Sequence, residues 1–269
     1  MGRFDAPILM TETGCRQERL LTGAAMVALF VPILSWLLTV ARGQIPIWVP
    51  YISDLPLAPG AAYVFPIGLS IAALLFATVA PQLHRALVLD VVELGPHWQR
   101  VPQVASLVLW VATLSLLVVA HFTWADHPLL HYVAAAGFFY GFLTWSAITC
   151  AISHAAGRGV PIRTGLTVLG FALMSGLSLI SLSGGGVPEV AEDLRWLERP
   201  WSMTVAASIE WVLIGVLAAL MLTWRDELAS SGTCSACENA QDQEEGKSDK
   251  SNDLDTDVDP SQDARGVGV

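Results

Sequence analysis

The sequence predicts an all-α membrane protein, a six-transmembrane-helix bundle with the N- and C-termini cytosolic. Three observations predict it. Of 269 residues, 54% are hydrophobic and 14% charged, whereas a soluble domain carries roughly 25% charged residues. The apolar residues gather into six runs, each close to the roughly 20 residues a helix needs to cross a bilayer. Lys and Arg concentrate in every second connection between those runs, as cytosolic connections do.

The runs cover about 20–41, 61–80, 101–122, 129–152, 165–183 and 203–224. Gly, Ser and Thr dilute the fifth, but small residues are common where membrane helices pack closely. Barrel strands would be about 10 residues long and alternate in polarity, which these runs do not. The polar stretch 1–19 precedes an apolar run too long for a signal core, so the first run is expected to remain as a span. With the N-terminus placed in the cytosol, the inner segments hold 11 Lys and Arg residues and the outer loops 3.

The net charge of −10 is unevenly spread. The tail from Asp226 carries 12 acids and 3 bases, leaving the rest of the chain at −1. With no basic face to neutralise phosphates, nucleic acid is excluded as a partner. The expected organisation is a cytosolic N-terminus (1–19), a membrane domain (20–225) and an acidic tail (226–269). The tail is Ser-rich and poor in apolar residues, which predicts disorder and suits cytosolic protein partners that order it on binding.

All four cysteines, Cys15, Cys150, Cys234 and Cys237, fall on the cytosolic side or its boundary. That compartment is reducing, so disulfides are not expected. Cys234 and Cys237 form a lone Cys-x-x-Cys, too few ligands for a structural zinc site. Together with Cys15 they are candidates for lipidation near the membrane, or remain plain thiols.

Between spans, the first outer loop (42–60) is Pro-rich. Pro restricts itself and its predecessor, so the loop is expected to be ordered and extended. The segment after the second run alternates Leu83, Leu87, Val88, Val91, Val92 and Leu94 with His84, Arg85, Asp90 and Glu93. It reads either as an amphipathic surface helix or as an extension of the second span. The turn 123–128 makes the third and fourth helices antiparallel neighbours. Gly137 and Gly141 mark a close helix contact within the bundle or between subunits.

Glu210 is the one charged residue inside a run. It sits about 10 Å below the outer interface at 1.5 Å per residue. A carboxyl group there indicates function or a specific polar partner; the plainer alternative is a hydrogen bond tying two helices. On the same side, His121, His127 and His131 flank the short turn. With Asp126 or Glu210, His127 and His131 are weak candidates for a metal site. Interface histidines exposed to water, or a His131–Glu210 hydrogen bond, are the favoured explanation over a metal site. Asp54 follows Ser53 in the first loop, where it either closes a local turn or joins His131 and Glu210 at the outer face. No cofactor is expected.

Three stretches together resemble the damage-regulated autophagy modulator (DRAM) superfamily. It also includes the transmembrane-150 proteins, fungal Sfk-type regulators and factors of GPI-anchor lipid remodelling. The stretches are Pro50-Tyr51-Ile52-Ser53-Asp54, then His131 with Ala134, Phe138 and Tyr140, and finally Glu210-Trp211. The family often follows its Asp with Thr-Gly and later Pro-Glu. Here 55–60 contain no acid, so a role that depends on that carboxylate is not implied, and the chain reads as a divergent member.

The resemblance implies a multi-pass regulator or adaptor, lysosomal, endomembrane or plasma-membrane, in autophagy–lysosome regulation or in recruiting a phosphoinositide kinase complex. Its alternative is a GPI-anchor or other lipid-remodelling factor with a His/Glu site at the outer face. Most members have no established catalytic activity, so a regulator is expected rather than an enzyme. The candidate cluster is Asp54, His131, Glu210 and Trp211, with membrane lipids as further partners.

Overall fold

The computed structural model describes residues 7–44, 49–92, 94–183 and 201–231. The helices in them are α1 (Pro7–Ala41), α2 (Val64–Val91), α3 (Val101–His121), α4 (Pro128–Ala155), α5 (Pro161–Ser183), α6 (Trp201–Leu222) and the short α7 (Arg225–Ser231). Six are long and apolar enough to cross a membrane. A helix closes its backbone hydrogen bonds within itself, the requirement that hydrocarbon imposes on a spanning segment.

From α1 to α6 each helix packs on the next in sequence, and α6 returns to α1, closing a ring. Van der Waals fit drives such packing, because lipid removes the hydrophobic incentive. Small residues supply the fit. A Cβ at Gly137 would lie 2.6 Å from Ser115 Oγ, and one at Gly141 would lie 2.8 Å from Ala112 Cβ. The two glycines therefore let α4 approach α3 within one bundle, which answers the question their spacing raised. At Gly68 of α2 a Cβ would lie 2.3 Å from Val31 Cγ2 of α1.

The helices outrun the apolar runs. α2 continues through Pro81 to Val91, so the segment after the second run is an extension of the span and not a separate surface helix. Leu83, Leu87 and Val91 are buried along one stripe while Leu89 and Val92 are exposed. Asp90 at its end pairs with Arg158 beyond α4.

The first residues of the expected tail are also helical. Trp224 and Leu228 are buried, and Arg225 pairs with Glu18 of α1, so α7 is folded against the bundle. An even number of spans returns the chain to its starting side, and this ion pair joins the two. Residues 232–269, with Cys234 and Cys237, lie outside the described residues, as does the Cys15 side chain.

The first loop departs from the extended form its prolines predict. Residues Ile52–Leu57 form a 3-10 helix with Pro56 inside it. The φ fixed by proline, near −65°, is equally that of a 3-10 helix. Three residues per turn place Ile52 and Leu55 on one side, and both are buried at the end of the bundle. That burial selects the helical option.

Candidate functional site

Four of the residues singled out in the sequence meet where this loop crosses the bundle. Glu210, in the middle of α6, accepts the backbone N–H of Ile52 through Oε2 at 2.7 Å. Its neighbour Trp211 donates its indole N–H to Pro50 O at 2.8 Å and meets Trp36 of α1 edge-on at 6.1 Å. Consecutive side chains of one helix therefore hold positions 50 and 52 of the loop. An unpaired backbone N–H in an apolar setting is costly, and Glu210 removes that cost.

Asp54 is 2% exposed and takes the indole N–H of Trp124 at 3.1 Å. It thus reaches from the first loop to the turn between α3 and α4. Asp54 also lies within electrostatic reach of His131 and Glu210.

His131, one turn into α4, is buried and bonds through Nδ1 to Phe122 O at 2.7 Å. A carbonyl only accepts, so Nδ1 carries the hydrogen, and Nε2 of the neutral ring is an acceptor. The hydrogen bond observed for His131 therefore runs to the carbonyl of Phe122, just past the end of α3, where the sequence offered Glu210 as the partner.

The remaining candidates are dispersed. His127 packs edge-on against Phe122 at 5.3 Å. Asp126 accepts the Thr123 hydroxyl at 2.6 Å, and His121 contacts Ser70 Oγ at 2.8 Å. Among the described residues no group of three His, Cys, Asp or Glu side chains is arranged to hold a metal ion.

Beneath the loop lies a cavity that the sequence did not announce. Ile52, Ser53, His131 and Glu210 form its polar end, and apolar side chains of α1, α2, α3, α4 and α6 form the rest. It encloses about 710 Å³ measured to its walls, open side included, of which about 50 Å³ is open to the centre of a water molecule. These dimensions describe a narrow slot along the bundle.

A second polar cluster at the opposite end was also missed. Arg163 of α5, counted from sequence as a loop charge, is 2% exposed. It donates to Thr223 Oγ1 at 3.0 Å and to Thr223 O at 2.9 Å, and pairs with Glu227 at 2.5 Å. Its guanidinium lies 4.0 Å over the ring of Trp224. An arginine on the last carbonyls of a helix satisfies groups the helix itself leaves unpaired, here where α6 breaks into α7. Trp124 of the first cluster was passed over likewise; an indole in a six-residue turn was its one sequence signal.

The family model described as Frag1/DRAM/Sfk1/Cwh43P N-terminal domain matches residues 18–231. That stretch runs from within α1 to the end of α7 and contains both clusters. No curated protein and no solved structure matches the chain.

Proposed function

The chain belongs to the Frag1/DRAM/Sfk1/Cwh43P N-terminal domain family, and on that premise we propose that it is a multi-pass membrane regulator or adaptor. It would act in autophagy–lysosome regulation or in recruiting a phosphoinositide kinase complex, from a lysosomal, endomembrane or plasma-membrane location. The loop-side cluster would face the organelle lumen or cell exterior, and α7 with the acidic tail would face the cytosol.

The observation that carries this reading is the bonding of the cluster. Glu210, Trp211 and Asp54 each hold a backbone or indole group of the fold. A nucleophile with a positioned base, the geometry of covalent catalysis, is not what these contacts build. They would hold the first loop to this end of the bundle, and partner choice would then fall to α7 and the tail. The acidic tail suits a partner surface carrying basic residues.

The test is complementation. Cells lacking the chain would receive either the full chain or one ending at residue 231, with autophagic flux and membrane-bound phosphoinositide kinase as readouts. Restoration of either readout by the full chain and not by the shortened one supports the reading. No change in either readout when the chain is removed, or equal restoration by both forms, contradicts it.

A second reading, a lipid-remodelling factor, is favoured by one observation: Glu210 and His131 line a deep apolar cavity. A change in GPI-anchor lipid composition on losing the chain would select it over the first.

A further inference from the structure

We propose that the central cavity is a binding site for one single-chain lipid whose head donates hydrogen bonds, such as a monoacylglycerol. The inference goes beyond the regulator reading and its failure would leave that reading standing.

Shape is the first ground. Three helices line the cavity over twelve residues each, from Phe65 to Phe76 on α2, His131 to Phe142 on α4 and Glu210 to Met221 on α6. The eleven steps between the first and last of these rise about 16 Å. The slot is therefore long, narrow and aligned with the helices, as an acyl chain in a bilayer is.

The walls are the second ground. Below Glu210 they are aromatic and aliphatic, and water needs two to four polar partners to reside in such a place. An acyl chain gives such walls dispersion contacts and asks for no hydrogen bonds.

The polar end decides the head. Glu210 uses one of its roughly four acceptor positions on Ile52 N–H. His131 presents Nε2 as an acceptor, since Nδ1 is committed to Phe122 O, and Ser53 adds a hydroxyl. Asp54 lies within electrostatic reach of both Glu210 and His131. Acceptor atoms dominate this end, so a head bearing hydroxyl donors fits and a carboxylate, which has no donor, does not.

The experiment uses the full chain purified in detergent. It is incubated with 1-monoolein or with oleate, washed, and the lipid retained per chain is measured by mass spectrometry. The wild type is expected to retain about one monoolein per chain and at least tenfold less oleate. Ala135→Phe on α4 and Ala28→Leu on α1 fill the slot from two sides and are expected to lower monoolein retention at least tenfold. Val133→Phe, at an exposed position of α4, is expected to retain it like wild type.

Circular dichroism confirms that each variant is folded. If one filling variant unfolds the other decides, and the comparison of the two heads on wild type decides independently. No retention by wild type, equal retention of oleate, or filled variants that retain monoolein as Val133→Phe does would each overturn the proposal.

Discussion

Glu210 Oε2 accepts the N–H of Ile52 at 2.7 Å across 158 residues of sequence. The one carboxyl group within the apolar part of a span is thereby spent on the backbone of the first loop. Replacing it with Leu strands that N–H. A stranded buried donor costs about 1–3 kcal/mol, so Glu210→Leu should lower the unfolding midpoint in detergent. Glu210→Gln keeps an acceptor oxygen and should recover at least half of that loss. Equal midpoints for all three forms would remove Glu210 from the stability of the loop.

Asp54 and Trp124 join the first loop to the α3–α4 turn. Side chains sharing a hydrogen bond couple by about 0.5–3 kcal/mol in a double-mutant cycle. Asp54→Ala and Trp124→Phe should therefore be less than additive in unfolding free energy. Strict additivity would show that the contact contributes nothing.

Gly141 and Gly165 offer a matched pair. A Cβ at Gly141 would meet Ala112 Cβ at 2.8 Å and Ala112 Cα at 3.3 Å, whereas nothing lies within 4 Å of one at Gly165. Overpacking costs about 1–3 kcal/mol, so Gly141→Ala should destabilise the protein despite alanine's better helix propensity. Gly165→Ala should be neutral or stabilising by up to about 1 kcal/mol. The reverse order in a thermal-unfolding series would contradict the α3–α4 contact.

Arg163 and Arg225 both pair with acids, in different settings. Arg163 is 2% exposed and its partner Glu227 22%; Arg225 is 58% exposed and its partner Glu18 17%, so only the first pair buries its cation. Removing one partner of a buried pair costs about 3–5 kcal/mol, and an exposed pair contributes about 0–1 kcal/mol. Glu227→Ala should thus cost several times what Glu18→Ala costs. Arg163→Lys should not restore stability, because a single ammonium cannot span Thr223 and Glu227 as the guanidinium fork does. Full stability of Arg163→Lys would argue against that geometry.

The six spans were legible because a bilayer demands about 20 apolar residues in a row, a local property that needs no partner. Helix ends were not, since a helix can leave hydrocarbon and continue. Asp90, Glu18 and Glu227 lie on such continuations and look like loop charges until their partners Arg158, Arg225 and Arg163 are in place.

The cluster was half legible. The isolation of Glu210 in an apolar run pointed to a specific polar partner, but that partner is a backbone N–H, and every residue has one. Arg163 was hidden for a similar reason. Its burial depends on Trp224 and Thr223, about 60 residues on, and a positive charge near a helix start reads first as topology. The 3-10 conformation at 52–57 was missed because the prolines were read as extended; proline permits a 3-10 helix as readily, and burial of Ile52 and Leu55 chose it.

The most direct measurement is amide hydrogen exchange of segment 50–58 in the full chain, compared between wild type and Glu210→Leu. With Ile52 N–H held by Glu210, and Asp54 N–H and Ala58 N–H held within the turn, this segment should be protected in the wild type. In the variant it should lose most of that protection, while α3 exchanges as before. Rapid exchange of 50–58 in the wild type, or identical protection in the two forms, would contradict a loop latched to α6 by Glu210.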